Sequence, residues 1–264
     1  MSLIIGIVLA FGALILGFTL EKGVIASLFL VSPIVIVLGG TIGAVIASTS
    51  FKDLLAAFKA VIKSLSKSSE GTPTQVIEKI SSLSEIARKS GVIALEAELQ
   101  NPELDKDDFL IMKEGIVLLT MGKSSDEIRY ALSSDIRAYI TQRQLEIEVF
   151  ESASGFSPTM GIIGTVLGLV QVLSNFSSPE ELTKSIATAF IATLYGVAFA
   201  NIIYLPIATK LKRNMKRHHV QRQMIMDGIC MIADGVAPRD MENQLALYYQ
   251  AFDESGKYKE GINN

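Results

Sequence analysis

Residues 23–51 read GVIASLFLVSPIVIVLGGTIGAVIASTSF and carry no charged side chain between Lys22 and Lys52. About 20 consecutive apolar residues are enough for a helix to cross the hydrocarbon core of a bilayer. Three further runs are equally free of charge and long enough to cross: residues 1–20, 152–179 and 185–209. The run at 1–20 lacks the basic leading region and the small-residue cleavage site of a signal peptide, so we interpret it as a span. The sequence therefore predicts four transmembrane helices.

The distribution of basic residues predicts the orientation of these spans. Residues 51–155 contain 13 Lys and Arg residues and the chain from 210 onward contains nine, whereas each short loop contains one lysine. Lys52 and Lys59 follow the second run, and a basic cluster follows the fourth, so by the positive-inside rule both flanks and the N-terminus are cytoplasmic. The predicted segments are spans at 1–20, 27–50, 156–176 and 185–209, extracytoplasmic loops at 21–26 and 177–184, a cytoplasmic helical domain at 51–155, and cytoplasmic C-terminal helices at 210–264.

The water-exposed parts of the sequence have the patterns of helices. Apolar residues between 107 and 121, and again after 125, recur at steps of three and four. Helix starts are predicted at Thr72 before Pro73, at Ser125 as a cap, at Ser178 before Pro179, and at Pro238. No segment has a strand pattern. The predicted fold class is an all-α, polytopic membrane protein with four transmembrane helices and a helical cytoplasmic domain.

Composition excludes several classes of function. A net charge of −3 gives no basis for nucleic-acid binding, and a single cysteine, Cys230, excludes an intramolecular disulfide framework. The only histidines, His218 and His219, are adjacent and would point about 100° apart on a helix, so they do not make a joint metal site. We therefore expect no catalytic residues, no metal and no cofactor.

The four charge-free runs contain no Asp, Glu, Lys, Arg or His. Ionisable side chains inside a membrane are the usual carriers of proton or cation coupling. The chain is therefore either a passive structural protein or one part of a complex in which a partner brings the titrating group.

Small and polar residues distinguish the third and fourth runs from plain lipid anchors. Gly161, Gly164 and Gly168 are spaced to share one helix face, which allows close approach of another helix. Thr165 adjoins this face, and the fourth run carries Thr193 and Tyr195. A threonine can satisfy its hydroxyl on the carbonyl one turn back. Polar groups clustered on two of four spans nevertheless favour a shared hydrophilic contact.

Two prolines lie at the same predicted membrane depth. Pro158 is near the cytoplasmic start of the third run, and Pro206 is near the cytoplasmic end of the fourth. Proline removes a helix hydrogen bond and favours a kink. The pair predicts a hinge or gate, although each proline alone also fits a simple kink or start signal.

Three stretches resemble the MotA/PomA family of bacterial flagellar stator subunits. The segment PTMGIIGTVLG at 158–168 resembles the third span of that family, and ATLYG at 192–196, followed by Asn201 and LPIA at 205–208, resembles the fourth. ALEAELQNP at 94–102 resembles part of its cytoplasmic region. The similarity extends over nearly the whole chain, in order and spacing.

The resemblance implies a function that composition alone does not give. Members of this family form a ring, understood as a pentamer, around MotB-like partners whose transmembrane aspartate carries the ion, in the bacterial inner membrane. Their cytoplasmic domain pushes the rotor protein FliG through charged residues, and alignment places Arg88 and Glu96 at those positions. Thr165 and Thr193 fall where threonine is thought to help hold sodium in the sodium-driven relatives. The transported ion, H⁺ or Na⁺, stays open at this point.

Three other interpretations compete with the stator. TolQ/ExbB-like energisers of the outer membrane use related helices but typically have three spans, and the run at 1–20 gives a fourth. A standalone channel or transporter would be expected to carry a charged residue within its spans, and the four runs of this chain carry none. An intramembrane hydrolase would need a His/Ser or metal constellation, and no histidine lies in the spans.

Overall fold

The computed structural model describes residues 2–65, 72–107, 109–174 and 179–248, without the side chains of 179–181 and 184. In chain order its helices are α1 (Ser2–Leu20), α2 (Val31–Ile34), α3 (Gly40–Ser48), α4 (Phe51–Leu65), α5 (Pro73–Ser90), α6 (Leu110–Thr120), α7 (Ser125–Ser174), α8 (Pro179–Ala198), α9 (Leu205–Ala233) and α10 (Pro238–Ala246). Short 3₁₀ segments cover Ile25–Leu28, Val92–Gln100 and Pro102–Asp105, and π-helical segments cover Val35–Gly39 and Phe199–Tyr204. Throughout the described ranges the regular structure is helical, which confirms the all-α prediction.

The chain divides into two compact units. The membrane unit comprises residues 1–67 and 144–213, and the extramembrane unit comprises residues 68–143 and 214–264. Both long helices, α7 and α9, contribute to each unit.

Four helical stretches among the described residues are long and apolar enough to cross a membrane, which confirms the four predicted spans. They lie in Ser2–Leu20, Ile25–Ser48, Ser125–Ser174 and Ser185–Ala233. Helix α1 is apolar all round and buries no residue, with Leu9 69% and Leu20 76% exposed. A helix of this kind is stable when lipid rather than water surrounds it. The predicted loop at 177–184 lies partly outside the described residues, as does the start signal at Ser178.

The predicted helix starts at Thr72 and Pro238 are both present in the structure. The Thr72 hydroxyl accepts from the Gln75 amide at 3.3 Å, and the Gln75 side chain accepts from the Thr72 amide at 2.9 Å, which is a capping box. Helix α10 begins at Pro238, as predicted.

The cap predicted at Ser125 is wrong by one residue. Ser124 caps α7, because its hydroxyl accepts from the Glu127 amide at 3.4 Å while the Glu127 carboxylate accepts from the Ser124 amide at 3.0 Å. Three residues after Ser125 stands Ile128, which has no carboxylate to close the box. Hydrogen bonds from Lys123 and from Ser124 lower the pKa of Glu127 to about 2.

One hydrophobic core holds the extramembrane unit together. Helices α5, α6, α7, α9 and α10 each contribute fully buried side chains, among them Ile80, Ile116, Ile128, Ile229 and Leu245. Gly115 and Gly228 let neighbours approach, since a Cβ at Gly115 would lie 2.8 Å from Ile229 and one at Gly228 would lie 2.7 Å from Ile80. The core is therefore packed tightly around α9.

Candidate functional site

Helices α7 and α8 meet backbone to backbone in the membrane unit. A Cβ at Gly161 would lie 2.8 Å from the carbonyl oxygen of Ala192, and a Cβ at Gly196 would lie 2.7 Å from that of Ser157. Neither position therefore has room for any side chain. Such close approach provides the van der Waals contact that holds helices together in lipid, where the hydrophobic effect between helices is weak.

The rest of the predicted glycine face packs against alanine methyl groups. A Cβ at Gly164 would lie 2.8 Å from the Cβ of Ala192, and one at Gly168 would lie 2.9 Å from that of Ala189. The structure thus packs Gly161, Gly164 and Gly168 against α8, with Ile36 as a second neighbour of Gly164 at 3.4 Å. The sequence analysis did not predict the matching face on α8 at Ala189, Ala192 and Gly196. These small residues are three and four apart, which is the spacing of one helix face and could have predicted it.

Thr165 and Thr193 come together at this contact. Their hydroxyl oxygens are 2.5 Å apart, and the Thr165 hydroxyl also lies 2.9 Å from the carbonyl oxygen of Ala189 and 3.1 Å from that of Gly161. Four oxygen atoms thus converge between two apolar helices. Since each hydroxyl carries a single proton, the two threonines supply two protons for the contacts among four oxygens. The arrangement has spare acceptor capacity for an additional donor or a cation.

Ser157 is a polar residue of this contact that sequence reasoning missed. It is fully buried, and its hydroxyl donates to the carbonyl oxygen of Gly196 at 3.0 Å. This bond ties α7 to α8 one helical turn before Gly161. A serine beside a proline gave no sequence signal that distinguished it from a helix-start residue.

Tyr195 lies away from the threonine pair. Its hydroxyl donates to the carbonyl oxygen of Leu28, and its ring stacks on Phe199 with the centroids 5.6 Å apart. Tyr195 therefore contacts the segment before α2, whereas Thr193 faces α7.

The two predicted hinge prolines have different surroundings. Helix α7 continues through Pro158 without interruption. Pro206 is the second residue after the π-helical segment Phe199–Tyr204, and Pro33 precedes the other π-helical segment, Val35–Gly39. Wide turns of this kind concentrate at functional sites and interrupt the regular hydrogen-bond ladder. Sequence reasoning did not anticipate either one.

Arg88 and Glu96 are both exposed on the extramembrane unit. Arg88 is in the last turn of α5 and Glu96 is in the 3₁₀ segment Val92–Gln100, which follows Gly91 at φ 83°. Neither side chain forms a hydrogen bond or ion pair with another described residue. An ion pair of 3.2 Å between Lys79 and Glu98 fastens the 3₁₀ segment to α5.

Several other charges of the extramembrane unit are paired. The buried Arg222 guanidinium donates to Asp135 at 2.9 Å and lies 3.8 Å from the centroid of the Tyr139 ring. Arg129 donates to Asp227 at 2.5 Å. Burial and the hydrogen bond to Asp227 raise the pKa of Tyr248 to about 12, and burial raises the pKa of the Cys230 thiol. The two ion pairs connect α9 to α7, and the hydrogen bond from Tyr248 connects the chain after α10 to α9.

A methyl exchange tests the α7–α8 contact. We expect Gly164→Ala to lower the melting temperature of the full chain in mild detergent, because overpacking costs about 1–3 kcal/mol and exceeds the helix-propensity gain of about 0.5–1 kcal/mol. Ala192→Gly in the same chain moves the methyl group across the interface and should restore most of the loss. Gly155→Ala is the matched control on α7, since nothing lies within 4 Å of its Cβ position. A double variant no more stable than Gly164→Ala would contradict this packing.

The chain matches two family profiles that together cover most of its length. The profile described as the MotA/TolQ/ExbB proton channel family matches residues 104–224, and the profile of the motility protein A N-terminal region matches residues 4–91.

Individual relatives align along nearly the whole chain. It is 31% identical to motility protein A of Bacillus subtilis, over 95% of this chain and 91% of the relative. It is 33% identical to chemotaxis protein PomA of Vibrio alginolyticus, over 94% of both. Among solved structures, the flagellar MotAB stator complex of Bacillus subtilis superposes with a TM-score of 0.86 at 30% identity, covering 94% of this chain and 96% of that one. The chain therefore belongs to the MotA/PomA family of flagellar stator ion-channel subunits.

Proposed function

We propose that this chain works with a MotB-like single-span subunit, whose transmembrane aspartate carries the ion, to couple ion flow to torque on the flagellar rotor. The observation that carries the proposal is the polar cluster at Thr165 and Thr193 within spans that contain no ionisable residue. Such spans supply oxygen atoms but no titrating group, so a partner must bring it. The similar complexes solved from Bacillus subtilis and C. jejuni are both MotAB assemblies.

The TolQ/ExbB-like alternative has less support. The N-terminal motility protein A profile begins at residue 4 and covers most of the first span, which three-span energisers lack. The match to the shared channel profile, residues 104–224, fits either class.

We propose that the protein spans a bacterial inner membrane. Its termini and its extramembrane unit then lie on the cytoplasmic side. Helix α4 supports this orientation, because Phe51, Leu55, Phe58 and Ile62 form an exposed apolar stripe on a helix that also carries lysines. An amphipathic helix with basic residues lies in the membrane interface and favours the anionic cytoplasmic leaflet. The stator unit is then a ring of identical chains, a pentamer by resemblance, with spans three and four as its inner wall.

Capture of the partner tests this proposal, and substitution of the two prolines tests whether they couple ion flow to rotation. An affinity-tagged chain should co-purify with a single-span protein that carries an intramembrane aspartate. Pro158→Leu and Pro206→Leu should leave that capture unchanged but stop motor rotation, because a proline lacks the amide for one helix hydrogen bond and so provides a bend point where the ion step would move the helix. If no such protein is captured from motile cells, the stator proposal fails. If the proline variants are degraded instead of assembled, the prolines are structural.

The exposed, unpaired side chains of Arg88 and Glu96 are proposed to contact FliG. An exposed ion pair is worth about 0–1 kcal/mol, so single neutralisations should slow swimming modestly, while Arg88→Glu and Glu96→Lys should slow it strongly because repulsion is added. Reversal of the opposing charges on the rotor should restore speed. Arg239→Glu and Glu103→Lys are matched controls, since both are exposed charges of the same unit without an ion pair to a described residue. Normal swimming with both reversals present would exclude this contact.

Two ions fit the proposed path, H⁺ and Na⁺. Sodium is a hard cation that needs several oxygen ligands, and the four oxygens of the cluster around Thr165 support this choice if the partner helix passes beside them. In this structure the Thr165 hydroxyl lies 2.5–3.1 Å from each of the other three oxygens, which are hydrogen-bond distances. A proton needs only the carboxylate and a water, which leaves the threonines as packing residues.

Swimming speed with each ion withdrawn decides between them. Speed should be measured at fixed pH in sodium-free medium and, separately, with a protonophore in the presence of sodium. If sodium removal stops swimming, Thr165→Ala should raise the sodium concentration for half-maximal speed, because one ligand is lost. Thr159→Ala is the control, an exposed threonine of α7 bonded to its own helix. Swimming that persists without sodium and stops with the protonophore excludes sodium.

A further inference from the structure

A groove runs along the outside of the membrane unit between α1 and the helix that continues from the fourth span into α9. Its volume is about 530 Å³. One wall is the face of α1 that runs from Ser2 to Ala10, and the other runs from Asn201 to Arg213. Successive lining residues on each wall are one and three apart, so each helix contributes one continuous stripe.

The groove has the length of one lipid leaflet. Twelve residues separate Asn201 from Arg213, which corresponds to roughly 18 Å along a helix axis, and half of the hydrocarbon core is about 15 Å thick. Most of the lining is apolar, and the amide of Asn201, at the inner end, donates to the carbonyl oxygen of Val197 at 2.9 Å. Gly6 leaves the groove open, because nothing lies within 4 Å of its Cβ position. An extended acyl chain fits this shape.

The opposite end of the groove is basic. Lys210 and Arg213 line it together with the hydroxyl residues Ser2 and Thr209. Neither basic side chain forms a hydrogen bond or ion pair with any residue that the structure describes. The neighbouring Lys212, by contrast, pairs with Glu151 at 3.3 Å and is absent from the groove. Two unpaired cations above an apolar slot complement an anionic head group above an acyl chain.

We propose that this groove binds a glycerophospholipid with a net negative head group. Its phosphate lies between Lys210 and Arg213, which donate charge-assisted hydrogen bonds, and one acyl chain lies past Gly6 toward Ala10. A helix of a second copy would have to bring carboxylates to this point, whereas a lipid phosphate is already present at that depth. With the orientation proposed above, the groove lies in the cytoplasmic leaflet. That assignment rests on the proposed function, whereas lipid binding itself does not depend on it.

Lipid titration of the purified full chain tests the proposal. Phosphatidylglycerol and phosphatidylcholine with identical acyl chains are added in mixed micelles, and bound lipid is counted by native mass spectrometry. At about 1 kcal/mol for each basic residue near a membrane surface, two residues predict a roughly 30-fold preference for phosphatidylglycerol at low salt. Lys210→Gln with Arg213→Gln should abolish the preference, whereas Lys212→Gln should retain it.

The position of the lipid is tested with a photoreactive acyl chain on phosphatidylglycerol. Labelling should map to residues 2–10 and 201–213. Gly6→Leu fills the slot and should abolish the labelling, whereas Gly12→Leu, another open glycine of α1 outside the groove, should not. Equal binding of the two lipids, or labelling unchanged by Gly6→Leu, would overturn the proposal. A Gly6→Cys chain that forms disulfides with a neighbouring copy would also overturn it, because another subunit would then occupy the groove. None of these outcomes depends on capture of the aspartate-bearing partner.

Discussion

The contact between α7 and α8 is the interaction on which the membrane unit depends. In lipid the hydrophobic effect does not draw helices together, so contact must come from close packing and hydrogen bonds between helices. Gly161 and Gly196 provide the packing because they leave no side chain between the two backbones, and Ser157 adds a buried hydrogen bond to the Gly196 carbonyl. This close approach is also what brings Thr165 within 2.5 Å of Thr193. The polar cluster is therefore a consequence of the glycine face.

The separation of charge follows from the same solvent constraint. An unpaired charge inside the bilayer is expensive, and the spans carry none, so hydroxyls and backbone carbonyls make the polar contacts between α7 and α8. In the extramembrane unit the buried Arg222 is paired with the partly exposed Asp135. Exposed charges without a partner in the described chain, such as Arg88 and Glu96, are stable because water solvates them, and that leaves them available to a binding surface.

Sequence predicted those features that a local pattern encodes. The charge-free lengths predicted the four spans. Thr72 before Pro73 and Pro238 predicted helix starts, and the spacing of Gly161, Gly164 and Gly168 predicted a packing face. The Ser125 cap was misplaced because two adjacent serines compete, and only the later Glu127 decides between them. The π-helical segments beside Pro33 and Pro206 were not predictable, since a proline permits several local geometries and tertiary packing selects one.

The fourth span has two parts, one held by the small residues Ala189, Ala192 and Gly196 and one that precedes Pro206. From Ala189 to Gly196 the helix is held against α7 by backbone contact, so it cannot shift without losing that packing. From Phe199 to Tyr204 the hydrogen-bond ladder is interrupted by a π-helical segment, and Pro206 lacks the amide that would restore it. A bend is therefore easiest after the fixed part and before the basic residues Lys210 and Arg213. Motion of the helix beyond that point would leave the threonine cluster in place and would change the groove beside α1.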